Sequence, residues 1–282
     1  MPELPEVETI VRGLARRVVG DTIASVWIGS RPQPLKSPAA LIASTLEGKR
    51  IDAVRRAGKH IVFELSVARA TRRPSRRRPS PASVSAQWVV HLGMTGRMVV
   101  CEPGAALAKH THLVASLASG RELRFIDPRM FGKLSVHTSG FDPGGVEPLE
   151  VGEEQFIALF RGRKTPIKSA LLNQKLVRGV GNIYADESLF RAGIRPRRRA
   201  ASIPRLQLAK LYNSVREVLR EAIALGGSSI SDYVDADGEE GFFQLQHRVY
   251  GRESEPCLTC GTPIRRIVLV GRSSHYCKNC QK

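Results

Sequence analysis

At 282 residues the chain is long enough for two domains with separate cores, and its 42% hydrophobic and 25% charged content is ordinary for a globular protein. No apolar run approaches the roughly 20 residues of a membrane-spanning helix, and Glu3 and Glu6 stand where a secretory leader has basic and then apolar residues. A membrane protein and an exported one are both disfavoured, and a cytoplasmic location is expected. The formal net charge of +18 points to a polyanionic partner, nucleic acid ahead of an anionic membrane surface.

The chain opens Met1-Pro2-Glu3-Leu4-Pro5-Glu6-Val7-Glu8. An initiator Met before proline is usually trimmed, which would leave Pro2 as a free secondary amine. An α-amino group is roughly a tenth unprotonated at neutral pH, against less than about a thousandth for lysine. Such an amine is a good nucleophile for a sugar carbon or an aldehyde, and its iminium product acidifies the adjacent C–H. Glu3 and Glu6 lie close by as candidate proton donor and acceptor. The same residues also read as a helix start. Pro5 suits the first helical position, Glu6 and Glu8 suit the positive end of the dipole, and Val7, Ile10, Val11, Leu14 and Val18 recur at helical spacing before Gly20. The two readings are compatible, since a packed helix would hold the amine in place.

Thr22–Gly29 and Arg50–Leu65 read as strands, the second broken by a basic stretch containing Lys59, which alone suggests a solvated strand-end lysine. Residues 66–85 contain three prolines, no acidic residue, and Arg69, Arg72, Arg73, Arg76, Arg77 and Arg78. This composition predicts a mobile basic loop, either a spacer or a tail that raises nonspecific DNA affinity. Its six charges do not account for the whole basic excess. Trp88–Cys101 reads as a strand pair interrupted by His91-Leu92-Gly93-Met94-Thr95-Gly96. Cys101 reads as a structural thiol. A second turn, Asp127-Pro128-Arg129-Met130-Phe131-Gly132, projects Arg129 and Phe131 from a loop.

Ser139–Pro148 is turn-rich and marks a change from strand-like to helix-like sequence. Helices are expected over Glu154–Arg163, Pro166–Leu172, Ile183–Ala192 and Leu206–Leu225, the last with an apolar stripe from Leu208 to Ile223. Before the third lies Gly179-Val180-Gly181-Asn182, where free N–H groups at a helix start suit a phosphate and Asn182 alternatively reads as a plain N-cap. The polar segment 226–243 lacks the ligand spacing of a calcium loop. Cys257-x-x-Cys260 and Cys277-x-x-Cys280, sixteen residues apart, read as one structural zinc site with four cysteine ligands. Four thiolates leave no open coordination position for catalysis.

Taken together, the opening Pro2-Glu3-Leu4-Pro5-Glu6, the two turn motifs, Gly-Val-Gly-Asn and the paired cysteines resemble, in order, the formamidopyrimidine-DNA glycosylase family of bacterial base-excision repair. Only the 66–85 insertion, Met130 and His275 depart from its pattern. The resemblance implies an α+β multidomain fold. Its expected parts are an N-terminal catalytic β-sandwich flanked by helices (1–138), a linker (139–152), a helix–two-turns–helix domain with a lesion-recognition loop (153–248) and a zinc-finger β-hairpin (249–282). It implies excision of oxidised purines through attack of Pro2 on C1′, with Glu3 as acid, followed by β- and δ-elimination. Glu6 would position the N-terminal segment. Met94, Arg129 and Phe131 would replace the everted base, read the orphaned cytosine and wedge the stack. Lys59, Lys168, Asn182 and Arg272 would hold phosphates. The implied partner is double-stranded DNA with oxidised bases or abasic sites, bound by a monomer with one structural Zn2+. Two alternatives remain open within glycosylase-like proteins: an endonuclease VIII-like enzyme for oxidised pyrimidines, and a non-catalytic damaged-DNA binder. A zinc-ribbon RNA-binding protein is a third.

Overall fold

The computed structural model describes residues 1–67, 85–228 and 241–282. The arginine-rich insertion and most of the 226–243 loop therefore lie outside the described residues. Contacts divide these residues into a unit made of 1–2 and 7–142 and a unit made of 3–6, 143–228 and 241–282.

In the first unit, α1 (Leu4–Val18) supplies Val7, Ile10, Val11, Leu14 and Val18 to the core, as their spacing predicts. Gly20, at φ 92°, breaks the chain direction after it. Eight antiparallel strands follow: β1 (Ile23–Ile28), β2 (Lys49–Ala57), β3 (His60–Val67), β4 (Ala86–His91), β5 (Arg97–Cys101), β6 (Thr111–Leu117), β7 (Glu122–Ile126) and β8 (Lys133–His137). They form two four-stranded sheets, ordered β1-β6-β7-β5 and β2-β3-β4-β8. Both sheets turn one face into a single apolar layer in which Phe63 and Trp88 stack at 4.7 Å beside Phe125, Leu113 and Leu134. Each such side chain contributes about 1.5–3 kcal/mol by leaving water.

Two features differ from the sequence reading. β4 and β5, read as a strand pair, belong to different sheets, because residues 92–96 carry the chain from one sheet to the other. A helix not read from the sequence, α2 (Ala39–Leu46), buries only Ile42 and Leu46, too little apolar periodicity to announce itself.

The second unit contains α3 (Glu153–Ala158), α4 (Ile167–Leu172), α5 (Asn182–Arg191), α6 (Arg205–Ala224) and the hairpin β9 (Arg265–Leu269)–β10 (Arg272–Tyr276). The α6 stripe is buried as expected from Leu208 to Ala222. α3 ends at Ala158, earlier than the expected Arg163. Leu4 belongs to this core together with Phe156, Phe160 and Tyr184. The 143–152 stretch is held in place: Val146 bridges Val177, and Glu147 pairs with Arg178 at 3.3 Å. The buried Glu187 carboxylate accepts the backbone N–H groups of Arg248, Val249 and Tyr250 at 2.8–3.0 Å. The Gln281 side chain bonds Cys277 N and Ile194 O at 2.9 and 2.8 Å. Among the described residues no helix is long and apolar enough to cross a membrane.

Candidate active site and zinc centre

Residues 3–6 are fastened by hydrogen bonds on several sides. Leu4 N–H donates to Gly179 O at 3.0 Å. The Glu3 N–H, which closes the peptide bond to Pro2, donates to Glu6 Oε2 at 2.8 Å. Glu6 also accepts from the Tyr184 hydroxyl and from Ser228 N at 2.8 Å. Glu6 is 3% exposed, and burial pushes its pKa up against the pull of these donors. Glu3 is 4% exposed, and its carboxyl group accepts the Ile183 N–H at 3.2 Å at the positive end of α5. It fits there because position 181 is glycine: a Cβ on Gly181 would fall 2.2–2.6 Å from the Glu3 carboxyl atoms.

This revises the reading of Gly-Val-Gly-Asn. Gly181 caps α5 and Asn182 is its first residue, so Asn182 is no N-cap. Its amide donates to Ser273 Oγ at 3.3 Å. The acidic group seated at this helix start is the protein's own Glu3.

Lys168 is 1% exposed. Its ammonium lies 2.8 Å from Asp186 Oδ1 and donates to Ser273 O at 2.5 Å. Burial pulls its pKa down while Asp186 pulls it up. Asp186 Oδ2 also accepts from His275 N at 2.9 Å, so the departure at His275 is a buried strut. The network joins α4, α5 and β10. Arg272 stands exposed at the head of β10. Thus Lys168, Asn182 and Arg272 come together, but two of the three Lys168 donors are already committed.

In the first unit, Met94 and Phe131 are 45% and 52% exposed at the tips of their loops. The Arg129 guanidinium lies 4.8 Å from the Phe131 ring centroid. The sequence reading missed the residue that joins these loops. Asp127, fully buried, accepts from Thr95 Oγ1 at 2.6 Å on one loop and from Gly132 N at 2.7 Å on the other. The loops are backed against each other so closely that a Cβ on Gly93 would lie 2.5 Å from Phe131 C. His91 was also missed: its Nδ1 accepts the Gly93 N–H at 3.0 Å, and burial pulls its pKa down to about 3, which keeps the ring neutral. Lys59 occupies the β2–β3 turn and is 7% exposed, not solvated.

The four sulfurs of Cys257, Cys260, Cys277 and Cys280 lie within 4.8 Å of one another. The pairs Cys257–Cys280 and Cys260–Cys277 are 3.9 and 3.5 Å apart. A tetrahedron with Zn–S bonds of about 2.3 Å has edges of about 3.8 Å, so the cysteines fit one structural zinc ion.

Comparison with known proteins agrees with this geometry. Family models match residues 1–134 as the formamidopyrimidine-DNA glycosylase N-terminal domain, 145–234 as its H2TH domain and 254–282 as a zinc finger found in FPG and IleRS. The chain belongs to the formamidopyrimidine-DNA glycosylase family. A formamidopyrimidine-DNA glycosylase of Solibacter usitatus is 45% identical over 286 residues, covering 100% of both chains. The MutM (FPG) structure from Thermus thermophilus is 39% identical with a TM-score of 0.83, over 99% of this chain and 98% of that one. The Lactococcus lactis protein in complex with abasic-site DNA is 33% identical with a TM-score of 0.86, over 99% of each chain. Another L. lactis structure holds Fapy-dG DNA, at 32% identity, a TM-score of 0.86 and full coverage of both chains.

Two outcomes follow from the geometry. Asp127→Ala leaves several donors without their acceptor and should lower the stability of the N-terminal unit by about 2–4 kcal/mol, read by urea unfolding with the zinc content unchanged. Metal analysis should find one zinc per chain, and Cys277→Ser should lose it together with the protease resistance of residues 249–282, whose small core is Val249, Cys257, Ile264 and Cys277.

Proposed function

We propose that Pro2, freed by removal of Met1, is the nucleophile with which this chain excises oxidised purines from DNA. As a family member the chain is a DNA glycosylase and abasic-site lyase of base-excision repair; the proposal concerns how its residues do this. The observation that carries it is the fastening of the Pro2–Glu3 peptide. Glu6 holds its N–H, and the Glu3 carboxylate rests on α5 over Gly181.

The Pro2 nitrogen attacks C1′ of the damaged nucleoside, the C1′–base bond breaks with its electron pair leaving on the base, and the nitrogen sheds its proton. Glu3 then protonates the ring oxygen, so that the C1′–O4′ bond breaks with its pair on that oxygen and the nitrogen lone pair closes the C1′ iminium. The resulting iminium makes the C2′ proton acidic. Its loss expels the 3′ phosphate, and a second elimination expels the 5′ phosphate, so both sides of the nucleotide are cut without a redox cofactor. Glu6, held up in pKa by burial, fixes the N-terminal segment.

Met94 and Phe131, exposed and apolar, fill the space of an everted base and wedge beside it, while Arg129 bonds the orphaned partner. Lys59, Asn182 and Arg272 bind phosphates, which positions the duplex without reading its sequence. Lys168 joins them through its remaining donor. The L. lactis complexes with Fapy-dG and abasic-site DNA support damaged DNA as partner, and eversion of a base from its paired neighbour requires that DNA to be double-stranded. The protein acts as a monomer in the cytoplasm, on nucleoid DNA. Specificity for oxidised purines over pyrimidines is favoured by the complete Met94, Arg129 and Phe131 set, and a thymine glycol duplex cut faster than an 8-oxoguanine:cytosine duplex would reverse that assignment.

Borohydride should trap a covalent adduct between the Met1-free chain and abasic DNA, seen as a mass increase on the N-terminal peptide. A form that retains Met1 should give none. Glu3→Gln should slow excision of 8-oxoguanine by about 100-fold or more in single turnovers. Gly181→Ala, which evicts the Glu3 carboxylate from its seat, should reproduce most of that loss while zinc content and the unfolding midpoint stay close to wild type.

A further inference from the structure

We propose that a basic pocket of the first unit, edged by Trp27, Arg31, Lys109 and His110, is a nucleotide-binding subsite for an unpaired DNA strand. Its base would stack on the Trp27 indole and its phosphate would lie on Arg31 and Lys109. The inference rests on the reading above only in taking DNA as the ligand class. It needs neither Pro2 nor lesion chemistry.

The pocket encloses about 220 Å3, and among the described residues no acidic one lines it. That is small for an enclosed cofactor site and suits one moiety of a chain that continues across the surface. Trp27 is 48% exposed, whereas the second tryptophan, Trp88, is fully buried. An indole left half in water at the end of β1 forgoes the burial that makes tryptophan favourable in a fold. An aromatic face beside cations is the arrangement that holds single strands, by base stacking and phosphate attraction. Arg31 and Lys109 are exposed at the rim, and His112, 3% exposed, forms part of the wall.

His110 carries an independent mark. Its φ of 67° is a left-handed conformation that non-glycine residues adopt at a cost, and such outliers gather at ligand sites. It is held there by the loop that carries Arg129 and Phe131: Asp127 N–H donates to His110 O at 3.0 Å, and His112 Nε2 lies 2.9 Å from Asp127 O. The Arg31 guanidinium is 3.8 Å from the Met130 sulfur on the same loop. The pocket is thus continuous with the loop assigned to the orphaned base. A strand nucleotide beside that loop is the ligand it fits.

The two tryptophans make the test direct, because an exposed indole responds to a stacked base and a buried one does not. Intrinsic fluorescence of the full zinc-containing chain is titrated with an undamaged thymidine octamer, thymidine monophosphate and inorganic phosphate. The octamer should quench the signal in a salt-dependent way, and Trp27→Phe should remove the quenching. Arg31→Ala combined with Lys109→Ala should weaken octamer binding at least about ten-fold. Quenching by the monophosphate but not the octamer would uphold the nucleotide chemistry and reassign its source to free nucleotides. The proposal is overturned if neither nucleotide probe quenches, if the quenching persists in Trp27→Phe, or if the double variant binds the octamer as wild type does. Because undamaged oligonucleotide is used and nothing is cleaved, failure of the Pro2 mechanism would leave this result untouched.

Discussion

A carboxylate resting on the start of a helix is the interaction on which the rest of this site depends. Glu3 and Glu6 are both almost wholly withdrawn from water within one short segment, an arrangement that is costly for any polar group left without a partner. The chain meets that cost in two different ways. Glu3 takes the unpaired N–H and partial positive charge at the start of α5, and Glu6 collects the N–H of Glu3, the Tyr184 hydroxyl and the Ser228 N–H. The first acid sits beside the residue whose chemistry it is proposed to assist. The second is consumed by donors and serves as a fastening. Two acids of similar burial therefore take different roles from their partners.

The same logic of one buried acid organising separate parts recurs twice. Asp127 draws donors from two loops whose tips, Met94 and Phe131, are left exposed. An apolar tip in water is unfavourable on its own, and it is tolerated because the base of each loop is fixed by a charge-assisted bond. Glu187 does likewise for the chain entering the zinc finger, by gathering three successive backbone donors. In each case the polar atom is inside and the working surface is outside.

What the sequence made legible was what is local. The stripes of α1 and α6 carry their own period, and the cysteine spacing carries its own geometry, so these were readable without a fold. The two sheets were not: β4 and β5 follow one another closely, and only the distant partners β8 and β7 decide that they separate. The family resemblance alone marks Lys168 as a phosphate ligand, and nothing near it in sequence shows that its carbonyl partner lies 105 residues away. Gly181 and Glu3 form another such case. The glycine-rich turn was legible as a seat for an acidic group, while the identity of its occupant depended on a residue at the opposite end of the chain. Asp127 was visible only as a turn former, since hydrogen bonds across loops leave no periodic trace.

The buried ammonium of Lys168 has a consequence for metal supply. One of its two partners, the Ser273 carbonyl, belongs to the hairpin that the four cysteines fold, and the other, Asp186, also receives His275 from that hairpin. Stripping the zinc would therefore do more than loosen a surface appendage. It would strand a cation inside the helical unit with half its solvation gone, so that shortage of the ion is felt at the seat of α5, where Glu3 rests.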